Sequence, residues 1–435
     1  MILRQGVLQT GRMLALAFVV FSSHLPAQAP ALKTIYSFTG SSDGDNPSAP
    51  LVIGPGGVLY GVACGGGISN YGTVFSLTPP PGSGDAWTET VLYSFPGGIV
   101  GGCPYSLVAG GNGVLYGFFN GGIIGGNYGA VFSLTQSETS HSWMESVIFT
   151  FTGGSDGSSP IGSPVIGIDG TIYGAARFGG SSGYGVVFAL HPPGSPGGPW
   201  TEAILHTFDN TRSGAYPTMG VVIGKKRVLY GATEYGGKGD CGVCGIVYSL
   251  TPPQGAGNRW IPRILYSFNG PPTDGELPES LIIGSAGELY GTTTSGGIGR
   301  CEDCGTVFLL APPASPEGVW TESLLWSFAD NNIANNYPAL AMGPGGVLYG
   351  AAFEGGNGAN SACVVGSCGM IYSLAPPASA ATGYWIQDVL HSFDGPPTDG
   401  ANPDASVVVS RTGVIYGTTT AGGASNAGTV FELKP

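Results

Sequence analysis

One phrase governs what this chain can become. "GVLYGVACGGGISNYGTVFSL" (57–77) returns as "GVLYGFFNGGIIGGNYGAVFSL" (113–134) and as "GELYGTTTSGGIGRCEDCGTVFLL" (287–310). The tyrosine of its (Leu/Ile)-Tyr-Gly triplet falls at Tyr60, Tyr116, Tyr173, Tyr230, Tyr290, Tyr349 and Tyr416, at intervals of 56, 57, 57, 60, 59 and 67 residues. Two further phrases keep step. Gly-x-(Val/Ile)-(Phe/Tyr) ends at Phe75, Phe132, Phe188, Tyr248, Phe308, Tyr372 and Phe431. A third ends at Phe38, Phe95, Phe151, Phe208, Phe268, Phe328 and Phe393, and six of its copies begin near a Trp. A fixed period over seven copies is the mark of one supersecondary unit stacked on the next.

Each unit holds four strand-like segments, in the first at 48–53, 57–63, 72–78 and 87–95. The last alternates, with Trp87, Glu89, Val91, Tyr93 and Phe95 on one face. The 79 glycines and 34 prolines would fit disorder, but 42% hydrophobic and 11% aromatic residues supply a core. No long amphipathic helical pattern follows the N-terminus. The expected fold is therefore all-β, a seven-bladed β-propeller of four-stranded antiparallel blades. A β-solenoid is the rival, but its repeats are shorter and lack hairpins such as 53–57. The chain opens on a fourth-strand phrase, "LKTIYSF" (32–38), and ends on a third-strand phrase, "GTVFELKP". The last blade is thus expected to be closed by the N-terminal strand, which removes an exposed edge.

Residues 1–29 have the form of an export signal: Arg4 and Arg12, the apolar run 13–21, and Ala27-Gln28-Ala29 as a cleavage site. The expected organisation is a signal peptide at 1–29 and one propeller domain at 30–435, exported to the periplasm or the extracellular space. Removing the signal takes away two arginines and no acid, so a net charge of −13 becomes more negative still. Such a surface is a poor partner for nucleic acid or anionic membranes. No other segment is long and apolar enough for membrane insertion, and a monomer is expected.

The order YSF…DG…P…LYG…GG…GTVF resembles the Gloeobacter/Verrucomicrobia-type tandem repeat of exported bacterial proteins, the choice-of-anchor repeat proteins. The likeness covers essentially the whole chain after the signal. It implies export and a repeated domain, and no established activity. An anchoring segment of that kind is not expected here, a departure from that pattern.

Residues present in every unit are best read as packing between blades. Loops between second and third strands are expected to share a face with the connections between blades. Tyr71, Tyr128, Tyr184 and Tyr235 in the glycine loops are candidate ligand contacts there. The connections carry Asp-Gly at Asp43, Asp156, Asp274 and Asp399, and Asp45 follows the first. These aspartates read as turn-capping residues, with a calcium loop as the alternative. All eight cysteines fall in the same two loop classes. Cys241/Cys244, Cys301/Cys304 and Cys363/Cys368 are expected as local disulfides, with a four-thiolate zinc site as the alternative for the two C-x-x-C pairs. Joining Cys64 to Cys103 would staple blade 1 to blade 2.

No nucleophile or metalloprotease motif occurs. His206 and His391 stand in the tyrosine slot of the YSF phrase and read as packing variants. Glu89, Glu145, Glu202 and Glu322 recur after Trp and read as a solvated rim. No residue is assigned to catalysis and no cofactor is expected. The leading expectation is a non-enzymatic module binding a glycan or a protein partner at the cell surface. A structural matrix protein is the alternative, and after it a hydrolase or lyase using loop carboxylates.

Overall fold

The structure is a computed structural model. It describes residues 30–82, 85–97, 103–120, 128–195, 197–238, 244–255, 259–298, 304–315, 318–328, 339–356, 363, 367–377 and 383–435. The expected signal segment lies outside the described residues.

Seven antiparallel blades follow one another around a ring, the last with a short two-stranded pairing of Gly400–Ala401 and Ala421–Gly422 beside it. Blade 5 shows the plan: Gly275–Ile283 lines the centre, then Leu289–Gly296, Thr306–Ala311 and Thr321–Ser327 step outwards. Blades 1 to 4 occupy 52–94, 104–150, 158–207 and 215–267, and blade 6 occupies 340–392. Blade 7 takes its three inner strands from Val408–Val409, Ile415–Thr419 and Thr429–Lys434. Its outer strand is Ala31–Ser37, which pairs with Thr429–Lys434 from Ala31 opposite Lys434 to Ser37 opposite Thr429. The N-terminal strand closes the ring as expected.

The innermost strand of blade 1 is shorter than its sequence pattern, Val52–Ile53 in place of 48–53. Pro50 has no N–H to give a ladder, so pairing begins only beyond it.

What holds the ring is the same contact made seven times. The phenylalanine closing one blade's outer strand meets the Gly-x-(Val/Ile)-(Phe/Tyr) ring of the next blade edge to face. The pairs are Phe38–Phe75, Phe95–Phe132, Phe151–Phe188, Phe208–Tyr248, Phe268–Phe308, Phe328–Tyr372 and Phe393–Phe431. Centroid separations run only from 5.1 to 5.5 Å. All fourteen rings are buried. Burying such a side chain contributes about 1.5–3 kcal/mol, and an edge-to-face pair about 0.5–1.5 kcal/mol more.

This contact explains the glycine of the Leu-Tyr-Gly triplet. A Cβ on Gly291 would stand 2.3 Å from Cζ of Phe308, and one on Gly61 would stand 2.4 Å from Cζ of Phe75. The aromatic ring of the third strand lies flat over the second, and only a missing side chain admits it. Outside that layer, Trp87, Trp200, Trp260, Trp320 and Trp385 lean on the triplet tyrosine of the preceding blade, at 5.8 to 6.2 Å between centroids.

Candidate functional site

The glycine loops and the inter-blade connections do share one face. In blade 1 the backbone N–H groups of Asp45 and Gly67 donate to Gly65 and Ser41 at 3.0 and 2.7 Å. In blades 3, 5 and 7 the N–H groups of Gly180, Gly297 and Gly423 reach the connections at Gly154, Asp274 and Asp399. Gly179 shows how tight this joint is: at φ +79° it lies so close that a Cβ would stand 2.5 Å from Gly157 Cα.

The Asp-Gly carboxylates are consumed inside these turns. Asp43 accepts from the Tyr36 hydroxyl at 3.0 Å and from Thr39 N–H and Oγ1 at 2.8 and 2.5 Å. Asp156 accepts from Thr152 N–H and Oγ1 at 2.6 and 2.7 Å. Asp274 accepts from the Tyr266 hydroxyl, Asn269 N–H and Gly275 N–H at 2.7 to 2.8 Å. Asp399 accepts from His391 Nε2, Asp394 N–H and Gly400 N–H at 2.8 to 3.0 Å. His391 thus does for its blade what Tyr36 and Tyr266 do for theirs. Burial would raise the carboxyls of Asp43 and Asp399, but these donors outweigh it and hold both below the usual carboxylate range. Asp45 joins the sheet-like ladder with Gly65 through its backbone. Among the described residues no three His, Cys, Asp or Glu side chains come together to hold a metal.

The described cysteines are oxidised. Cys64 is joined to Cys103, linking blade 1 to the inner strand of blade 2, and Cys363 to Cys368. Cys244 and Cys304 are each in a disulfide, so neither is a thiolate for zinc. Cys241 and Cys301 lie outside the described residues.

The glutamates expected on a solvated rim are a correction. Glu89, Glu145, Glu202 and Glu322 share a strand face with the tryptophans and turn into the seam, where they are half-buried. One carboxylate oxygen each of Glu89, Glu202 and Glu322 is buried with no hydrogen-bond partner. Burial first, then the charges of Asp43, Asp156 and Asp274 respectively, push these three up to about 7. Burial raises Glu145 as well.

The four loop tyrosines separate into two pairs. The ring of Tyr71 lies over Gly97 and that of Tyr128 over Gly153, each covering the connection that leaves its own blade. Tyr184 and Tyr235 are gathered by Tyr216 at the start of blade 4, at 5.5 and 5.9 Å between centroids, and Phe178 completes the cluster at 5.6 Å from Tyr216. Beside it Arg177 of blade 3 makes an ion pair with Glu234 of blade 4. Phe178 and Ser159 also wall a cavity of about 290 Å³ that Tyr128 and Gly180 close from the other side.

Phe178 and Ser159 belong in turn to the rim of a larger space, the central channel of the ring, of about 680 Å³. Each blade sends into it the residue after the proline of its connection: Ser48, Tyr105, Ile161, Thr218, Glu279, Ala339 and Asp404. Most of this polar lining is tied down. The Tyr105 hydroxyl accepts from Gly162 N–H at 2.7 Å, and Thr218 Oγ1 donates to the Pro278 carbonyl at 2.6 Å. Among the described residues Glu279 and Asp404 have no such tie. Burial pushes the Glu279 carboxyl up to about 8; Arg177 opposes this, and Glu234 and Asp404 reinforce it. Burial raises Asp404 too.

Sequence reasoning missed Tyr105, Arg177, Glu234, Glu279 and Asp404. The signal was present in negative form. The position after the proline and the fourth position after the triplet tyrosine (Asn120, Arg177, Glu234 in blades 2 to 4) are those where the seven copies disagree.

No curated protein matches the sequence. Solved structures match in fold alone. The extracellular domain of a B. thetaiotaomicron protein assigned as a one-component system superposes at a TM-score of 0.54 with 11% identity, over 94% of this chain and 42% of that one. PorZ of Porphyromonas gingivalis, a surface component of the type-IX secretion system, superposes at 0.51 with 13% identity, over 89% of this chain and 46% of that one. The chain thus spans less than half the length of either. A family profile, by contrast, matches residues 19–167, 126–260 and 161–431. With its repeats accounted for from end to end, the chain belongs to the Gloeobacter/Verrucomicrobia repeat family.

Proposed function

We propose that this propeller is an exported, non-enzymatic binding module that takes a glycan on the glycine-loop face above blades 3 and 4. The observation that carries this reading is the cluster of Phe178, Tyr184, Tyr216 and Tyr235 beside the Arg177–Glu234 pair. Aromatic faces cover the apolar side of a sugar, and a neighbouring ion pair supplies donors and acceptors for its hydroxyls. The adjoining cavity of about 290 Å³ offers room for a residue of the chain to enter.

Two carboxyls in one channel raise the question of a hydrolase. Acid–base hydrolysis needs one protonated and one ionised partner, with environments that push their pKa values apart. Here burial pushes Glu279 and Asp404 the same way. That favours binding over catalysis.

A glycan array probed with the oxidised protein, residues 30–435, tests the reading. Saturable binding to a defined glycan class is expected, weakened at least about tenfold by Tyr184→Ala or Tyr235→Ala, since stacked aromatics carry a large share of such contacts. Tyr71→Ala should leave it unchanged. No binding, or equal loss from Tyr71→Ala, would overturn the assignment.

A further inference from the structure

We propose that the central channel is a second binding site, taking an amine-bearing organic cation between Glu279 of blade 5 and Asp404 of blade 7. Its volume, about 680 Å³, falls within the range of small-molecule sites. Ile161, Met219, Leu281 and Leu340 give it apolar walls for the ligand's carbon skeleton.

The charges decide the class of ligand. Among the described residues lining the channel Arg177 is the one cation, and it is held by Glu234. Glu279 and Asp404 are left with no hydrogen bond or ion pair among the described residues, although both lie deep in the ring. Both side chains are half-buried, with their oxygens open to the channel and, among the described residues, to nothing else that would pair with them. A carboxyl held in so enclosed a place without a partner is costly to ionise. Two of them facing one cavity make a field that a protonated amine would satisfy and a neutral ligand would not.

Binding would be linked to protons. The groups acting on Glu279 are Arg177, Glu234 and Asp404, with Tyr105 facing the same cavity. Burial holds the proton on Glu279 up to about pH 8. An ammonium group favours the ionised carboxylate, so its binding expels that proton and strengthens as pH rises.

This proposal is independent of the aromatic cluster, and its test keeps the two apart. Titration calorimetry with 1,6-diaminohexane, and with hexane-1,6-diol as the uncharged counterpart, is run at pH 6 and pH 8.5 in buffers of different ionisation heat. The diamine is expected to bind saturably, about tenfold more tightly at pH 8.5, with a buffer-dependent heat that reports proton release; the diol should not bind. Glu279→Gln and Asp404→Asn each preserve shape and should weaken the diamine at least tenfold, while Tyr184→Ala leaves it unchanged. A thermal shift of the unmodified protein by the diamine at pH 8.5 checks the same point without any variant. No saturable heat and no thermal shift, equal binding of the diol, or undiminished binding by the double variant Glu279→Gln/Asp404→Asn would each overturn the proposal.

Discussion

The seams between blades and the central channel both hold carboxyls that burial has raised, and they hold them for opposite reasons. In the seams, Glu89, Glu145, Glu202 and Glu322 occupy one repeated position, behind a tryptophan that leans on the neighbouring blade. They are trapped by packing, and blade 6 has a glutamine, Gln387, in the same place. In the channel, Glu279 and Asp404 occupy a position where Ser48, Ile161 and Ala339 stand in other blades, and they face open space. A raised carboxyl alone does not mark a site. In a repeat protein what marks one is a raised carboxyl at a position where the copies part company and a cavity begins.

The strongest way to break this distinction is to strike a repeated position and a unique one with changes of similar size. Phe308→Ala empties a fully buried slot where the ring meets Phe268 and lies over Gly291. Its expected cost is about 3–5 kcal/mol, read from the shift of the urea midpoint. Glu279→Ala removes a side chain that lines a void already present and should cost less than about 1 kcal/mol. If the two cost the same, the channel is part of the packed core.

The ring was legible in the sequence because its determinants repeat. Phe308 and Phe268 could be assigned to packing without any coordinates, since each has six counterparts at the same spacing. So could the closure of blade 7, because 32–38 and 429–434 are complementary fragments of one unit. The channel was not legible, and the reason is physical. The inner strand is the least regular of the four, interrupted by prolines such as Pro50, so alternation does not say which side faces inwards. Glu279 in "LPES" therefore reads as an ordinary exposed acid. The rim glutamates failed differently: alternation correctly placed Glu89 with Trp87, and only the reach of the neighbouring blade shows that this face is covered.

A second experiment separates the two kinds of carboxyl by pH. Glu89, Glu202 and Glu322 keep their protons up to about 7 in the fold, against 4.5 in the unfolded chain. Folding therefore takes up protons between these values. The stability from this source is fully present below about 4.5 and falls as pH rises to 7. Asp43 and Asp399 act in the opposite sense, but only as pH falls below their unfolded value of 3.8, outside that window. The melting temperature should thus decline from pH 5 to pH 7.5. The triple variant Glu89→Gln/Glu202→Gln/Glu322→Gln should flatten the decline and melt a few degrees higher at pH 8, with diamine binding untouched. A flat profile in the unmodified protein would mean that water reaches these carboxyls.

The smallest expected effect tests whether every departure from the repeat has a use. Blades 4 and 6 place Tyr248 and Tyr372 where the other five have phenylalanine, and both hydroxyls are buried with no hydrogen-bond partner. Each ring makes the same seam contact as its phenylalanine counterparts, with Phe208 and Phe328 respectively. The hydroxyl adds only desolvation, and losing it removes an unsatisfied group at no loss of packing. Tyr248→Phe is expected to raise stability by about 1 kcal/mol, seen as a later urea midpoint at unchanged slope. Tyr372→Phe should do the same, and the two should add, because their seams share no partner. A loss of stability would reveal a partner for the hydroxyl and would make these tyrosines, like Glu279 and Asp404, departures with a purpose. A gain would confine purpose to departures that open on a cavity, and the ring's own packing would then be the reference against which any of its sites is found.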